Sequence, residues 1–121
     1  MIELAMTEFT EKNLLNKTED FVEYVNDFCI HIESNENHPF CFRIRNCAES
    51  FEWFMKKSLV AAKLSEKLRY IIKAQSLLDT CEDYLLLLQK VEYRDIEVPR
   101  GYIMEIREEY NKLAESVHIS T

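Results

Sequence analysis

The chain contains one glycine and two prolines in 121 residues. Hairpin turns draw heavily on both residue types, so their scarcity excludes a sheet-rich fold and points to long helices joined by short polar links. A phosphate-cradling loop needs several glycines where backbone meets phosphate, and Gly101 stands alone. No apolar run approaches the ~20 residues of a membrane-spanning helix. The run "YLLLL" ends after Leu88. No C-x-x-C occurs, so the strongest zinc spacing is missing. Arg43, Arg45, Arg69, Arg94, Arg100 and Arg107 all lack a histidine four to six residues later. That excludes the arginine–histidine arrangement of RNA-cleaving helical domains.

What is present reads as one globular domain. Apolar residues make up 47% of the chain and charged residues 31%, a balance that supports a packed core. The formal net charge is -7, which speaks against a free-standing nucleic-acid-binding domain. The charge is unevenly spread. Residues 1–42 carry nine acids and two bases, residues 43–73 eight bases and three acids, and residues 74–121 ten acids and five bases. A basic segment of net +5 therefore lies between two acidic ones. The N-terminus "MIELAMTEFTEKN" has acids where a secretory signal places a basic region and an apolar core. Cytoplasmic residence is the expectation, with Cys29, Cys41, Cys47 and Cys81 reduced and mostly buried as small hydrophobes.

Apolar spacing predicts an all-α, up-down four-helix bundle over residues 18–121, preceded by a short N-terminal helix or arm over residues 1–17. In the arm, Ile2, Ala5, Met6 and Phe9 keep helical spacing until "NLLNKT" interrupts it. Thr18 is the expected N-cap of the first bundle helix, with Glu19 and Asp20 at the positive end of its dipole. Phe21, Val25, Phe28, Cys29 and Ile32 form its stripe. "ESNENHP" is a polar loop, and Pro39 suits the first turn of the next helix. There Ile44, Cys47, Ala48, Phe51, Met55, Leu59 and Ala62 step by three and four. Phe42, Trp53, Phe54 and Val60 lie off that stripe and mark a second apolar side, the candidate oligomer interface. Ser65 restarts a helix whose stripe is Leu68, Ile71, Ile72, Leu78, Cys81, Leu85 and Leu88. "EYRDIEVPRG" breaks the pattern, and the last helix is expected from about Tyr102, on Ile103, Ile106, Tyr110, Leu113 and Val117.

Chemistry is sparse. A di-metal bundle needs two Glu-x-x-His motifs and two more glutamates, and only Glu115-Ser-Val-His118 is present. Cys29 and His31 are two residues apart, which points them in different directions on a helix. Cys47 falls on the apolar stripe, where a thiol is protonated and inert, and nothing identifies a base for Cys41. No catalytic residue, metal or cofactor is expected, and the protein reads as a non-enzyme. The basic segment is the informative feature. Arg45–Glu49 and Glu52–Lys56 are four apart and suited to internal ion pairs. Arg43, Lys57, Lys63, Lys67, Arg69 and Lys73 are not fully matched by acids in sequence. Together with Arg45 and Lys56 they form the candidate surface for nucleic acid or a protein partner.

The stretches "DFVEYVNDFCIHIES", "FRIRNCAESF", "SEKLRYIIKAQSLLDTCEDYLLLLQKVEY" and "YIMEIREEYNKLAESV", in that order, resemble a family of small bacterial four-helix proteins. It includes the 23S rRNA intervening-sequence proteins and the accessory variability determinant proteins of diversity-generating retroelements. The likeness spans about residues 18–118. The intervening-sequence branch usually carries a small-residue, proline- and glycine-containing stretch where this chain continues as "FEWFMKKSL", so the likeness leans to the accessory branch. The resemblance implies a non-enzymatic homo-oligomer, ring-like and pentameric, that binds a reverse transcriptase and its template RNA during mutagenic cDNA synthesis. It places Arg43 and Arg45 early on the second helix and Lys67, Arg69 and Lys73 at the start of the third. The accessory proteins tend to be basic, whereas this chain is acidic, with Glu82 and Asp83 in its third long helix. That balance favours contact with a basic polymerase surface. The alternative is an interaction module of the intervening-sequence type with no polymerase partner.

Overall fold

A computed structural model describes the backbone of residues 2–33 and 38–120, and side chains within 10–32, 38–113 and at 115. It consists of four helices: α1 (Ile2–Glu33), α2 (Pro39–Val60), α3 (Leu64–Glu92) and α4 (Glu97–Ser120). No strand occurs among the described residues, and the expected all-α bundle is what the chain forms. None of the described helices is long and apolar enough to cross a membrane.

The first helix differs from expectation. It runs without a break through Asn13–Thr18, so no separate N-terminal helix exists among the described residues and Thr18 is not a cap. Leu14, Thr18, Phe21 and Val25 follow one another at helical spacing and are all buried. The Thr18 hydroxyl donates to the Leu14 carbonyl at 2.7 Å, which satisfies it inside the helix. Asparagine and threonine each cost well under 1 kcal/mol of helix propensity. Burial of Leu14 and Phe21 outweighs that.

The helix ends have local causes. His38 caps α2, its Nδ1 accepting from the Cys41 N–H at 3.4 Å, and Pro39 occupies the first turn as expected. α2 stops at Val60, before Ala62, because Ala61 turns to an extended conformation (φ -65, ψ 130). α3 starts at Leu64, with Lys63 in the cap position and no side-chain cap. It ends at Glu92 and is capped by Tyr93, whose φ of 57 is left-handed and whose N–H donates to the Gln89 carbonyl at 2.9 Å. The last helix begins at Glu97, five residues earlier than expected. Asp95 Oδ1 accepts the Glu97 N–H at 3.0 Å, and Pro99 falls in the first turn, where a missing N–H costs nothing. Gly101 is thus inside α4, with nothing within 4 Å of where its Cβ would stand.

Successive helices are antiparallel, and the bundle closes in the order α1, α2, α3, α4. α2 packs on both α1 and α3, α1 packs on α4, and α3 touches α4 only sparsely. The core includes Leu14, Phe21, Val25, Ile44, Phe51, Met55, Leu78, Leu85, Ile103, Ile106 and Tyr110, all essentially inaccessible. Phe21 meets Phe51 edge-on at 6.3 Å. The buried Tyr110 hydroxyl donates to Met55 Sδ at 3.8 Å.

Candidate functional site

Burial of one stripe on α2 and one on α3 sets the seam between them, and the residues flanking those stripes form the surface there. On α2 these are Arg43, Trp53, Phe54 and Lys57; on α3 they are Arg69, Tyr70, Lys73 and Tyr84. Phe54 is half-buried in the seam, edge-on to Trp53 at 4.9 Å and 6.2 Å from the Tyr70 ring. Three cations cover these rings. Lys57 Nζ lies 5.3 Å from the Trp53 centroid, Lys73 Nζ 5.7 Å from Phe54, and the Arg69 guanidinium 5.8 Å from Tyr70. At the other end of the seam the Arg43 guanidinium sits 5.7 Å from the Tyr84 ring and donates to its hydroxyl at 3.0 Å. A cation over an aromatic face needs no carboxylate partner to be held.

The eight basic residues expected to act together therefore divide. Lys57, Arg69 and Lys73 share the aromatic cluster, and Arg43 stands near Tyr84. Lys56 lies in the α1–α2 seam, 4.0 Å from both Glu19 and Glu52. Lys67 is turned inward and pairs with Glu11 of α1 at 2.5 Å. Lys63 is exposed at the α2–α3 turn, and Arg45 is half-buried on α2. Of the four residues expected to seal copies together, Phe42, Trp53 and Val60 are exposed at 58%, 53% and 77%. Phe54 instead packs within the chain against Tyr70.

Two features escaped the sequence reading. The first is a cleft of about 230 Å³ between α1 and α4, lined by Asp20, Glu23, Tyr24, Asp27 and Tyr102. The Tyr24 and Tyr102 rings lie 5.4 Å apart. Partial burial, then Tyr102 and Asp95, push the Tyr24 hydroxyl above its ordinary value, so it stays protonated. The spacing of Asp20, Glu23, Tyr24 and Asp27 by three and four was the available signal. The second is the α3–α4 seam, where Arg107 donates to Asp79 at 2.7 Å and to both Glu82 oxygens at 3.1 Å. Arg100 approaches Glu82 at 3.7 Å. A polar cleft of about 290 Å³ beside it is lined by Gln75, Leu78, Asp79, Arg107 and Asn111.

The thiols are poorly placed for nucleophilic work. Burial, then Cys47 and Glu82, push the Cys81 thiol up to about 12, and its Sγ sits 3.8 Å from the Ile44 carbonyl. Burial raises Cys47 as well. Cys29, Cys41 and Cys81 are buried and Cys47 is half-buried. Among the described residues no three His, Cys, Asp or Glu side chains are grouped to hold a metal ion. The side chain of His118 lies outside the described residues.

Comparison with protein-family models, with curated proteins and with solved structures finds no match to the chain.

Proposed function

We propose that this chain is a non-enzymatic helical protein that works by holding macromolecular partners, using the cation-covered aromatic edge of α2 and α3. The observation that carries this reading is the cluster of Lys57 over Trp53, Lys73 over Phe54 and Arg69 over Tyr70. Such an edge offers a partner flat apolar area and outward charge on one rigid surface. The finer proposal is an oligomeric, pentameric accessory subunit of a diversity-generating retroelement, working in the cytoplasm. In it the edge contacts a reverse transcriptase, with template RNA or cDNA engaged alongside the polymerase. That proposal rests on the resemblance of "FRIRNCAESF" and "LLDTCEDYLLLL" to the accessory proteins. The acidic net charge of -7 suits contact with a basic polymerase better than loose binding of nucleic acid alone.

A test is co-purification of the protein with a reverse transcriptase found encoded beside it, followed by cDNA synthesis on that element's template repeat. Changing Arg43, Arg69 and Lys73 together to Glu is expected to abolish both. Unchanged complex formation and unchanged cDNA would reject the edge as the site. The second reading is an interaction module of the intervening-sequence type. Internal pairing of Lys56 with Glu19 and of Lys67 with Glu11 favours it, because it removes two cations from the candidate surface. A gene within an rRNA insertion, with no neighbouring reverse transcriptase, supports this second reading.

A further inference from the structure

The outer face of α2 and the α1–α4 cleft are complementary in charge and in shape. On α2, Trp53 is half exposed and Lys57 lies over its ring at 5.3 Å, which makes a positively charged aromatic knob. Phe42 and Val60, exposed at 58% and 77%, lie on the same face of α2, about three turns before Trp53 and about two turns after it. The cleft is lined by two half-buried phenol rings, Tyr24 and Tyr102, and three exposed carboxylates, Asp20, Glu23 and Asp27. None of those three makes an ion pair within the chain among the described residues. Its volume of about 230 Å³ leaves room for one large aromatic side chain. The cleft lies on the α1–α4 side, opposite the α2–α3 seam, so a chain cannot seat Trp53 in its own cleft.

We propose that Trp53, carrying Lys57 on its face, seats in the Tyr24–Tyr102 cleft of a second copy of this chain. Lys57 then meets Asp20, Glu23 and Asp27, and the indole packs on the two tyrosines. Excluding water strengthens the cation–ring and cation–carboxylate attractions together. Phe42 and Val60 are covered along the same line of contact. Unlike surfaces meet, so the contact repeats from copy to copy until the rotation closes a ring, or else extends as a chain. This deepens the oligomeric part of the function proposed above and needs no polymerase. In the assembled state Lys57 and Trp53 are covered by the neighbouring copy, and Arg43, Arg69 and Lys73 with their rings remain as the exposed part of the edge.

The test is sedimentation equilibrium of the full chain from about 1 to about 200 µM, at low and at high salt. The mass is expected to rise above the 14.5 kDa of one chain with concentration, and less so at high salt. Two double variants follow. W53A/K57E removes the knob, and D20K/D27K reverses the cleft. Each alone is expected to remain a folded monomer by circular dichroism, with association weakened at least tenfold. Mixed one to one, they restore a single contact, because one keeps its cleft and the other its knob. The mixture is therefore expected to give a two-chain species and nothing larger. A wild-type chain that stays monomeric at every concentration overturns the proposal. So does knob-variant assembly equal to wild type, or a mixture of two folded monomers that fails to associate. Polymerase binding is read in a separate experiment, so its failure leaves this result standing.

Discussion

Replacing Arg107 with Ala tests how the least tightly packed seam of the bundle is held. α3 and α4 touch sparsely, and Arg107 supplies three hydrogen bonds across the gap, one to Asp79 and two to Glu82. Its side chain is 37% exposed and Asp79 65%, so solvent screens that arm strongly, whereas Glu82 is only 17% exposed. Charge-assisted bonds to a partly buried carboxylate contribute about 1.5–3 kcal/mol before screening. Exposed pairs contribute at most ~1 kcal/mol. The bidentate geometry on Glu82 places the loss between these limits, at about 1–2 kcal/mol. For a domain of this size that is a fall in Tm of roughly 4–8 °C. The natural control is Lys17→Ala. It breaks a single 3.4 Å contact to Glu105, which is 58% exposed, so the loss is expected to stay below about 0.5 kcal/mol. Urea melts followed by helical circular dichroism measure both. Hydrogen exchange adds a positional readout, since amides of α3 and α4 facing the seam are expected to exchange faster in Arg107→Ala than in Lys17→Ala. A double-mutant cycle with Glu82→Gln assigns the coupling. If Arg107→Ala costs no more than Lys17→Ala, or if the cycle shows no coupling to Glu82, the seam is held by its apolar contacts and the reasoning is wrong.

Three further outcomes are measurable on the same instrument. Gly101→Ala is expected to stabilise the protein by about 0.5–1 kcal/mol, because Gly101 lies inside α4 with open space where a Cβ would stand; a loss of stability in urea would show α4 starting after Gly101. Tyr93→Gly is expected to raise stability by about 1 kcal/mol, because a non-glycine residue there holds a φ of 57 while its side chain is 90% exposed and packs on little. The third concerns alkaline pH. Burial raises the folded-state pKa of Cys81 from 9.0 to about 12, so the thiol stays neutral in the fold while the unfolded chain ionises. Its contribution is fully present below pH 9 and is lost as pH rises towards 12, about 1 kcal/mol being gone by pH 10. Cys81→Ala is expected to flatten that part of the pH profile, and an unchanged slope would assign the loss to other groups, Tyr110 among them.

Most of the fold was legible because three- and four-residue apolar spacing survives the averaging that obscures weaker signals. Ile44, Ala48, Phe51 and Met55 are buried as the spacing predicts, and so are Leu78, Cys81, Leu85 and Leu88. The errors fell where local chemistry competes with burial. The "NLLNKT" segment has weak helix formers, but Leu14 sits one turn before Thr18 and continues the stripe that Phe21 and Val25 extend. Pro99 and Gly101 read as breakers. A proline in a first turn costs nothing, and one glycine costs less than the burial of Ile96 and Ile103 on either side provides.

The surface was less legible for a physical reason. Sequence can pair charges four residues apart on one helix, as it did for Glu52 and Lys56. It cannot show which cations meet acids or rings on another helix. Glu11 lies fifty-six residues from Lys67, and Tyr84 forty-one from Arg43. Across-helix and ring partners sort six of the eight apparently equivalent bases into those paired with carboxylates, Lys56 and Lys67, and those resting on aromatic rings, Arg43, Lys57, Arg69 and Lys73. The distinction matters for binding. A carboxylate pair must be broken before its lysine can meet a new anion, whereas a cation on a ring keeps most of its charge available and carries apolar area with it. The residues to weigh are therefore Arg43, Lys57, Arg69 and Lys73, together with the rings they cover. A surface of that composition discriminates partners by shape as well as by sign. On the function proposed above, this is how a short positive edge on a chain of net charge -7 would stay selective.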